Sequence, residues 1–167
     1  MKFKSDTPQN FLLSPHTHLV SITMSEPQLN TIGTASLIVA ESDLASVLSL
    51  SATDHFPAVF ATARMVALME VAASRVLIPF LGPGQLSVGV SVDATHSAPT
   101  PLGEKVVAQA RYVGKTGQGD KLYEFDIVAK DPGGEIGRMR HVRAIVDTAR
   151  LEGRAVKRMK AGRSCDD

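Results

Sequence analysis

A chain of 167 residues, 44% hydrophobic and 21% charged, fits one domain with a single core rather than two. Its formal net charge is +1, and its Lys and Arg residues are spread along the chain apart from a cluster near the end, which excludes a general nucleic-acid-binding signature. A single cysteine, Cys165, excludes an intrachain disulfide framework and a cysteine-rich metal site, and fits a reducing, cytoplasmic setting.

No run approaches the roughly 20 apolar residues that cross a bilayer, so neither a membrane nor a nucleic-acid partner is expected. Residues 1–32 are rich in Ser, Thr, Pro and His without periodicity, and read as a flexible leader. They lack the long apolar run and small-residue cleavage pattern of a secretory signal, and Met24 offers an internal start. The domain is expected over 33–150, and a basic tail over 151–167.

Residues 34–50, TASLIVAESDLASVLSL, give an opening strand and then a segment of mixed character interrupted by Glu41 and Asp43. Pro57 holds Phe56 in extended geometry at a loop edge. Helical propensity then rises from Ala63, with Thr62 placed as an N-cap and no Gly or Pro before Pro79, where the helix should end. Apolar side chains fall on nearly every side of this helix except a narrow Arg64–Arg75 face, which predicts a buried helix. Glu70 lies away from that face. A carboxylate there must find a partner, stay protonated or serve a function.

LSVGVSVDA alternates, with Leu86, Val88, Val90, Val92 and Ala94 on one face and Ser87, Gly89, Ser91 and Asp93 on the other. Continued without a bulge, that alternation turns His96 toward the helix. Further strands are expected over 104–113, through Tyr123–Phe125–Ile127–Ala129, and over 135–147, where short connections require antiparallel neighbours. One helix followed by four strands, after an opening strand, is an α+β arrangement of one helix on the apolar side of a sheet. The tail holds Arg154, Lys157, Arg158, Lys160 and Arg163, and reads as a solvated basic helix.

Thr62, Glu70 and His96 bring hydroxyl, carboxylate and imidazole onto one apolar frame. Taken singly, Thr62 is a cap, Glu70 divides evenly between a concealed ion pair and a functional group, and His96 is a hydrogen-bonded structural histidine. The eight residues from Thr62 to Glu70 rise about 12 Å along a helix, so spacing alone does not bring the two into contact.

The segments FPAVFATARMVALMEVAA, LSVGVSVDATHSAPTPLG and EIGRMRHVRAIVD together resemble the hotdog-fold thioesterases related to fluoroacetyl-CoA thioesterase, over residues 34–147. The most specific features are F-P-x-V-x-A-T with a glutamate eight residues beyond the threonine, and S-V-G followed by T-H-x-A-x-T-P-x-G. The resemblance implies a hotdog fold, one long helix wrapped by an antiparallel sheet of about five strands, pairing into a homodimer. It implies acyl-CoA or acyl-pantetheine hydrolysis without a metal or other cofactor. By the same resemblance Thr62, Glu70 and His96 match the catalytic threonine, glutamate and histidine, Gly89 the glycine near the thioester carbonyl, Phe56 a gating aromatic, and Arg143 the motif arginine near the site.

Thr62 would then be nucleophile or water-positioner, with Glu70 and His96 managing the proton. Met139 and Arg140 stand where the family often has a glycine-threonine pair before His141, and neither Thr53 nor His55 adds a second aromatic beside Phe56. Both departures bear on the fluoroacetyl group rather than on thioester hydrolysis. The rival readings are a hotdog enoyl-thioester hydratase or dehydratase, against which the threonine-glutamate spacing argues, and a non-catalytic acyl-thioester binder.

Overall fold

The computed structural model describes residues 26–163. Most of the expected leader, Met24 and Cys165 lie outside them. Strand β1 (Ile32–Ile38) leads through two short 3-10 turns, Glu41–Asp43 and Ala45–Leu48, to helix α1 (Thr62–Leu77). Strands β2 (Gln85–His96), β3 (Lys105–Thr116), β4 (Leu122–Asp131) and β5 (Gly134–Asp147) follow, and helix α2 (Thr148–Arg163) closes the described chain. The five strands form one antiparallel sheet in the order β1-β3-β4-β5-β2. This is the expected α+β architecture.

Helix α1 buries Met65, Leu68, Met69, Ala72, Ala73, Val76 and Leu77, the three-and-four spacing of a single helical face. Each fully buried Leu, Met or Val contributes about 1.5–3 kcal/mol of transfer free energy against the sheet. Glycine and alanine let the helix come close. A Cβ on Gly33 of β1 would stand 2.3 Å from the Ala72 carbonyl oxygen and 2.6 Å from Val76, while Ala35, Ala108, Ala110 and Ala129 line the same floor. The helix continues into a 3-10 turn at Ile78–Phe80 containing Pro79, close to its expected end.

The expectation of a helix buried nearly all round is corrected. Ala63, Arg64, Val71 and Arg75 are exposed, and the two arginines are fixed by Asp43 at 2.7 Å and by the Thr34 carbonyl at 2.7 Å. Small side chains let a helix of high apolar content keep one side out of the core.

The order of strands also differs from a simple meander. β3, β4 and β5 run as successive neighbours, but β2 pairs with β5, so residues 97–104 carry the chain across to β3. That crossover is anchored at the buried Thr100, whose hydroxyl donates to Asp131 at 2.7 Å and whose carbonyl accepts from the Phe60 N–H at 2.8 Å.

Residues 26–31, part of the expected flexible leader, pack onto the body. Pro27 is buried, the Asn30 N–H donates to the Tyr112 carbonyl at 2.9 Å, and Glu26 pairs with Lys115. At the other end, the Asp147 carboxylate accepts the Arg150 N–H at 2.7 Å and starts α2, whose residues 149–162 are exposed.

Candidate active site

Thr62 is the first residue of α1, but it does not cap it. Ala61 occupies the cap position without a side-chain bond, and the Thr62 hydroxyl instead lies 2.9 Å from Nδ1 of His96. The hydroxyl is therefore committed to a residue 34 positions away. His96, the last residue of β2, has the Phe60 ring edge-on at 6.5 Å between centroids, and its Nε2 is buried without a hydrogen-bond partner among the described residues. A cavity of about 360 Å³ opens over the pair, lined also by Ala45, Phe56, Val59 and Ala98. Phe56 stands at its edge, 49% exposed.

Two turns along α1, Glu70 is neither deeply buried nor alone: its side chain is 38% exposed. Oε1 lies 3.4 Å from Arg143 Nη1 and 3.4 Å from His141 Nε2, both on β5. The Arg143 guanidinium, nearly buried, donates through Nε to the Ser87 hydroxyl at 3.1 Å, through Nη2 to the Ser87 carbonyl at 2.8 Å, and through Nη1 to His141 Nε2 at 2.9 Å. Gly89 closes the cluster, since a Cβ there would meet Glu70 Oε1 at 2.4 Å.

The parity expected of β2 fails at a bulge. Gly89 pairs with Arg143 and Ser91 with Val142, so Val90 is the extra residue. Before it Ser87 and Gly89 sit opposite Ile145 and Arg143, and after it Val92, Ala94 and His96 sit opposite His141, Met139 and Gly137. Residues directly opposite share a face of the sheet. The bulge therefore puts Gly89 and His96, of opposite parity in sequence, on the helix side together, and takes Leu86 and Val88 off that side. His96 still points inward as expected, though not through unbroken alternation.

The structure thus brings Thr62, His96 and Phe56 to one cavity, and Glu70, Gly89 and Arg143 to a neighbouring cluster. No hydrogen bond or ion pair among the described residues joins the two groups. No three His, Cys, Asp or Glu side chains among the described residues gather as metal ligands would. His141 was not among the candidate site residues. Its signal was its parity with Met139 and Arg143, which makes it a polar residue on the apolar face of a strand.

A model of the fluoroacetyl-CoA-specific thioesterase family matches residues 39–149. The chain belongs to that family. A fluoroacetyl-CoA thioesterase from Streptantibioticus cattleyicolor is 36% identical over 108 residues, 65% of this chain and 76% of that protein. Among solved structures, a mutant of the fluoroacetyl-CoA-specific thioesterase in complex with fluoroacetate and CoA is 30% identical with a TM-score of 0.68, covering 74% of this chain and 98% of that one. A hot-dog-like protein from Thermanaerovibrio acidaminovorans is 25% identical with a TM-score of 0.67, covering 80% of this chain and 93% of that one. The expected hotdog fold and thioester hydrolase hold.

In this thioesterase the protonation of His141 follows from its partners. Arg143 can only donate, so Nε2 accepts. The ring is then neutral with its proton on Nδ1, which donates to the Ser91 carbonyl at 2.8 Å. Burial holds its pKa below the ordinary 6.5 and Arg143 adds to that, while the Ser91 carbonyl and Glu70 act the other way. Burial likewise lowers Arg143, against the opposing pull of Glu70.

The lowered His141 pKa fixes the sign of a stability effect. The unfolded imidazole takes up a proton near pH 6.5 while the folded one does not, so this contribution is complete above that pH. As the pH falls below it, stability is lost by up to about 1.4 kcal/mol per pH unit until the folded ring titrates. Urea unfolding between pH 8 and 5 should show that loss in the parent chain and a shallower one in His141→Gln; equal slopes would refute it.

Proposed function

We propose that the thioesterase hydrolyses an acyl-CoA or acyl-pantetheine thioester at the cavity over Thr62 and His96. The observation that carries this is the 2.9 Å contact between Thr62 Oγ1 and His96 Nδ1 beneath an apolar cavity. A hydroxyl donating to Nδ1 has its proton acceptor already in place, whether Thr62 attacks the carbonyl itself or orients a water that does. The buried Nε2 then carries the ring's other proton, aimed where no group among the described residues receives it.

Glu70, held beside Gly89 and Arg143, handles the second proton through the substrate or a water that spans the gap to the pair. Gly89 allows the carbonyl to approach the strand backbone, Arg143 supplies positive charge next to Glu70, and Phe56 gates the cavity. Its lining of Ala45, Phe56, Pro57, Val59, Phe60 and Ala98 with no charged side chain suits an uncharged acyl group.

Homodimer formation is supported by β2. It is a long edge strand with a single neighbour among the described strands, and Leu86, Val90 and Val92 on it are 39%, 53% and 48% exposed. We place the enzyme in the cytoplasm, in accord with its single cysteine and with the absence, among the described residues, of a helix long and apolar enough to cross a membrane.

Purified protein offered a panel of short, medium and aromatic acyl-CoAs should release free thiol. A panel that yields none above background, while an enoyl-CoA loses its conjugated absorbance, would make it a hydratase instead. Tight acyl-CoA binding without turnover would make it a binder.

A further inference from the structure

We propose that His141 is a positioning residue of the reaction: its two ring nitrogens tie the bulge of β2 to the Arg143 guanidinium and hold that guanidinium beside Glu70. The inference rests on the reading of Glu70 as a proton-handling group.

The bond lengths assign the roles. Arg143 is held by close bonds to Ser87 and His141, at 2.8–3.1 Å, whereas its approach to Glu70 is 3.4 Å. Glu70 therefore does not set the orientation of the guanidinium. β2 and β5 set it, and the partly exposed carboxylate stays free to move against a fixed positive charge. A buried guanidinium has five N–H groups and no acceptor of its own, so a donor left unpaired would cost more than an ordinary hydrogen bond returns.

A neutral imidazole suits the position because one rigid ring offers a donor at Nδ1 and an acceptor at Nε2. The donor goes to the Ser91 carbonyl, next to Val90, the inserted residue of the bulge. That bulge places Gly89 against Glu70 while His96 still faces Thr62. His141 thus bears on both clusters without lining the cavity, and its own approach to Glu70 is the long 3.4 Å one from Nε2 to Oε1. It is fully buried, paired across the sheet with Val92 and Phe125, and the charged groups facing it are Arg143 from β5 and Glu70 from α1. Protonating Nε2 would set two donors against each other and release Arg143.

Three variants separate the two bonds. His141→Gln can present its amide oxygen in place of Nε2, and should keep kcat within about 3-fold. His141→Asn can keep the donor to Ser91 but not the acceptor for Arg143, and should lose about 10- to 100-fold in kcat with KM little changed, the size of one hydrogen bond to a charged group. His141→Leu, without either, should lose at least as much. In a Glu70→Gln background the loss caused by His141→Asn should shrink to about 2-fold or less, because the two act as one unit.

Glu70→Gln alone keeping the parent kcat would overturn the reading of Glu70. Glu70→Gln lowering kcat, with the His141→Asn loss persisting in full on top, would overturn the proposal for His141 and leave Glu70 intact. The nitrogen resonances of histidine-labelled parent protein test the same bonds without activity or substitution. They should show His141 neutral and protonated at Nδ1 at neutral pH, and an Nε2–H tautomer or an imidazolium would overturn the proposal.

Discussion

His96→Ala is expected to lower kcat by about 10²- to 10⁴-fold, the range of a positioned general base. Nδ1 of His96 is the group bonded to the Thr62 hydroxyl, and the cavity lining holds no second imidazole or carboxylate to replace it as base. Thr62→Val, which keeps the shape of the side chain and removes its oxygen, should cost a comparable factor. The double variant should be scarcely worse than either single one, because the two groups act as a pair. The measurement is single-turnover thiol release, with unfolding followed in parallel, since His96 also packs edge-on against Phe60. Losses that multiply would mean that hydroxyl and imidazole work separately, and an unchanged rate would remove the pair from the reaction.

That expectation leaves a geometric question about Glu70. Thr62 and Glu70 are separated by two turns of α1, a rise of about 12 Å, and the carboxylate is turned toward Gly89 and Arg143 rather than toward His96. The carbonyl carbon and leaving sulfur of a thioester are bonded neighbours, so on the proposed reading a water relays the proton between Glu70 and the reacting thioester rather than the thioester itself spanning both clusters. Hydroxyl attack and protonation of the departing thiolate are different events at different atoms, so the groups proposed for them need not be in mutual contact. The arrangement favours a division of labour over a contiguous triad.

Much of the frame was legible because it depends on local pattern. Pro79 marked the end of α1, and the alternation of Tyr123, Phe125, Ile127 and Ala129 marked the inner face of β4. What was not legible came from pairing between distant segments. Thr62 read as a cap because a threonine at a helix start ordinarily is one, and only the arrival of His96 from the far end of β2 shows where its hydroxyl goes. The alternation of β2 looked unbroken because valines surround Gly89 on both sides. The bulge exists in the register with β5, although an isolated glycine inside a strand was its available trace. Glu70 drew attention as an unexplained carboxylate, but its partners lie on β5, more than 70 residues later, where periodicity in α1 carries no information.

Gly89→Ala tests that glycine directly, and it should separate activity from stability. A Cβ at this position would stand 2.4 Å from Glu70 Oε1, closer than atoms pack, and 3.2 Å from His141 Cε1, a tight contact relieved by a shift of a few tenths of an ångström. The first of these atoms ends a flexible side chain that is 38% exposed, so the carboxylate can swing toward solvent at little cost to folding. The backbone at Gly89 is not in the left-handed region, so alanine carries no conformational strain there. Stability should therefore change by less than about 1 kcal/mol, with the lower entropy of the unfolded alanine chain offsetting part of the crowding. Activity should not be spared. On the proposed reading, moving Glu70 by an ångström or more away from Arg143 misplaces the proton-handling group, which costs about 10²-fold when geometry governs the step. Steady-state kinetics should show that loss in kcat, and Gly89→Ala should add almost nothing once Glu70 is already Gln. A parent-like kcat in Gly89→Ala would mean that Glu70 works from elsewhere, and that its place beside Gly89 is a resting position rather than a working one.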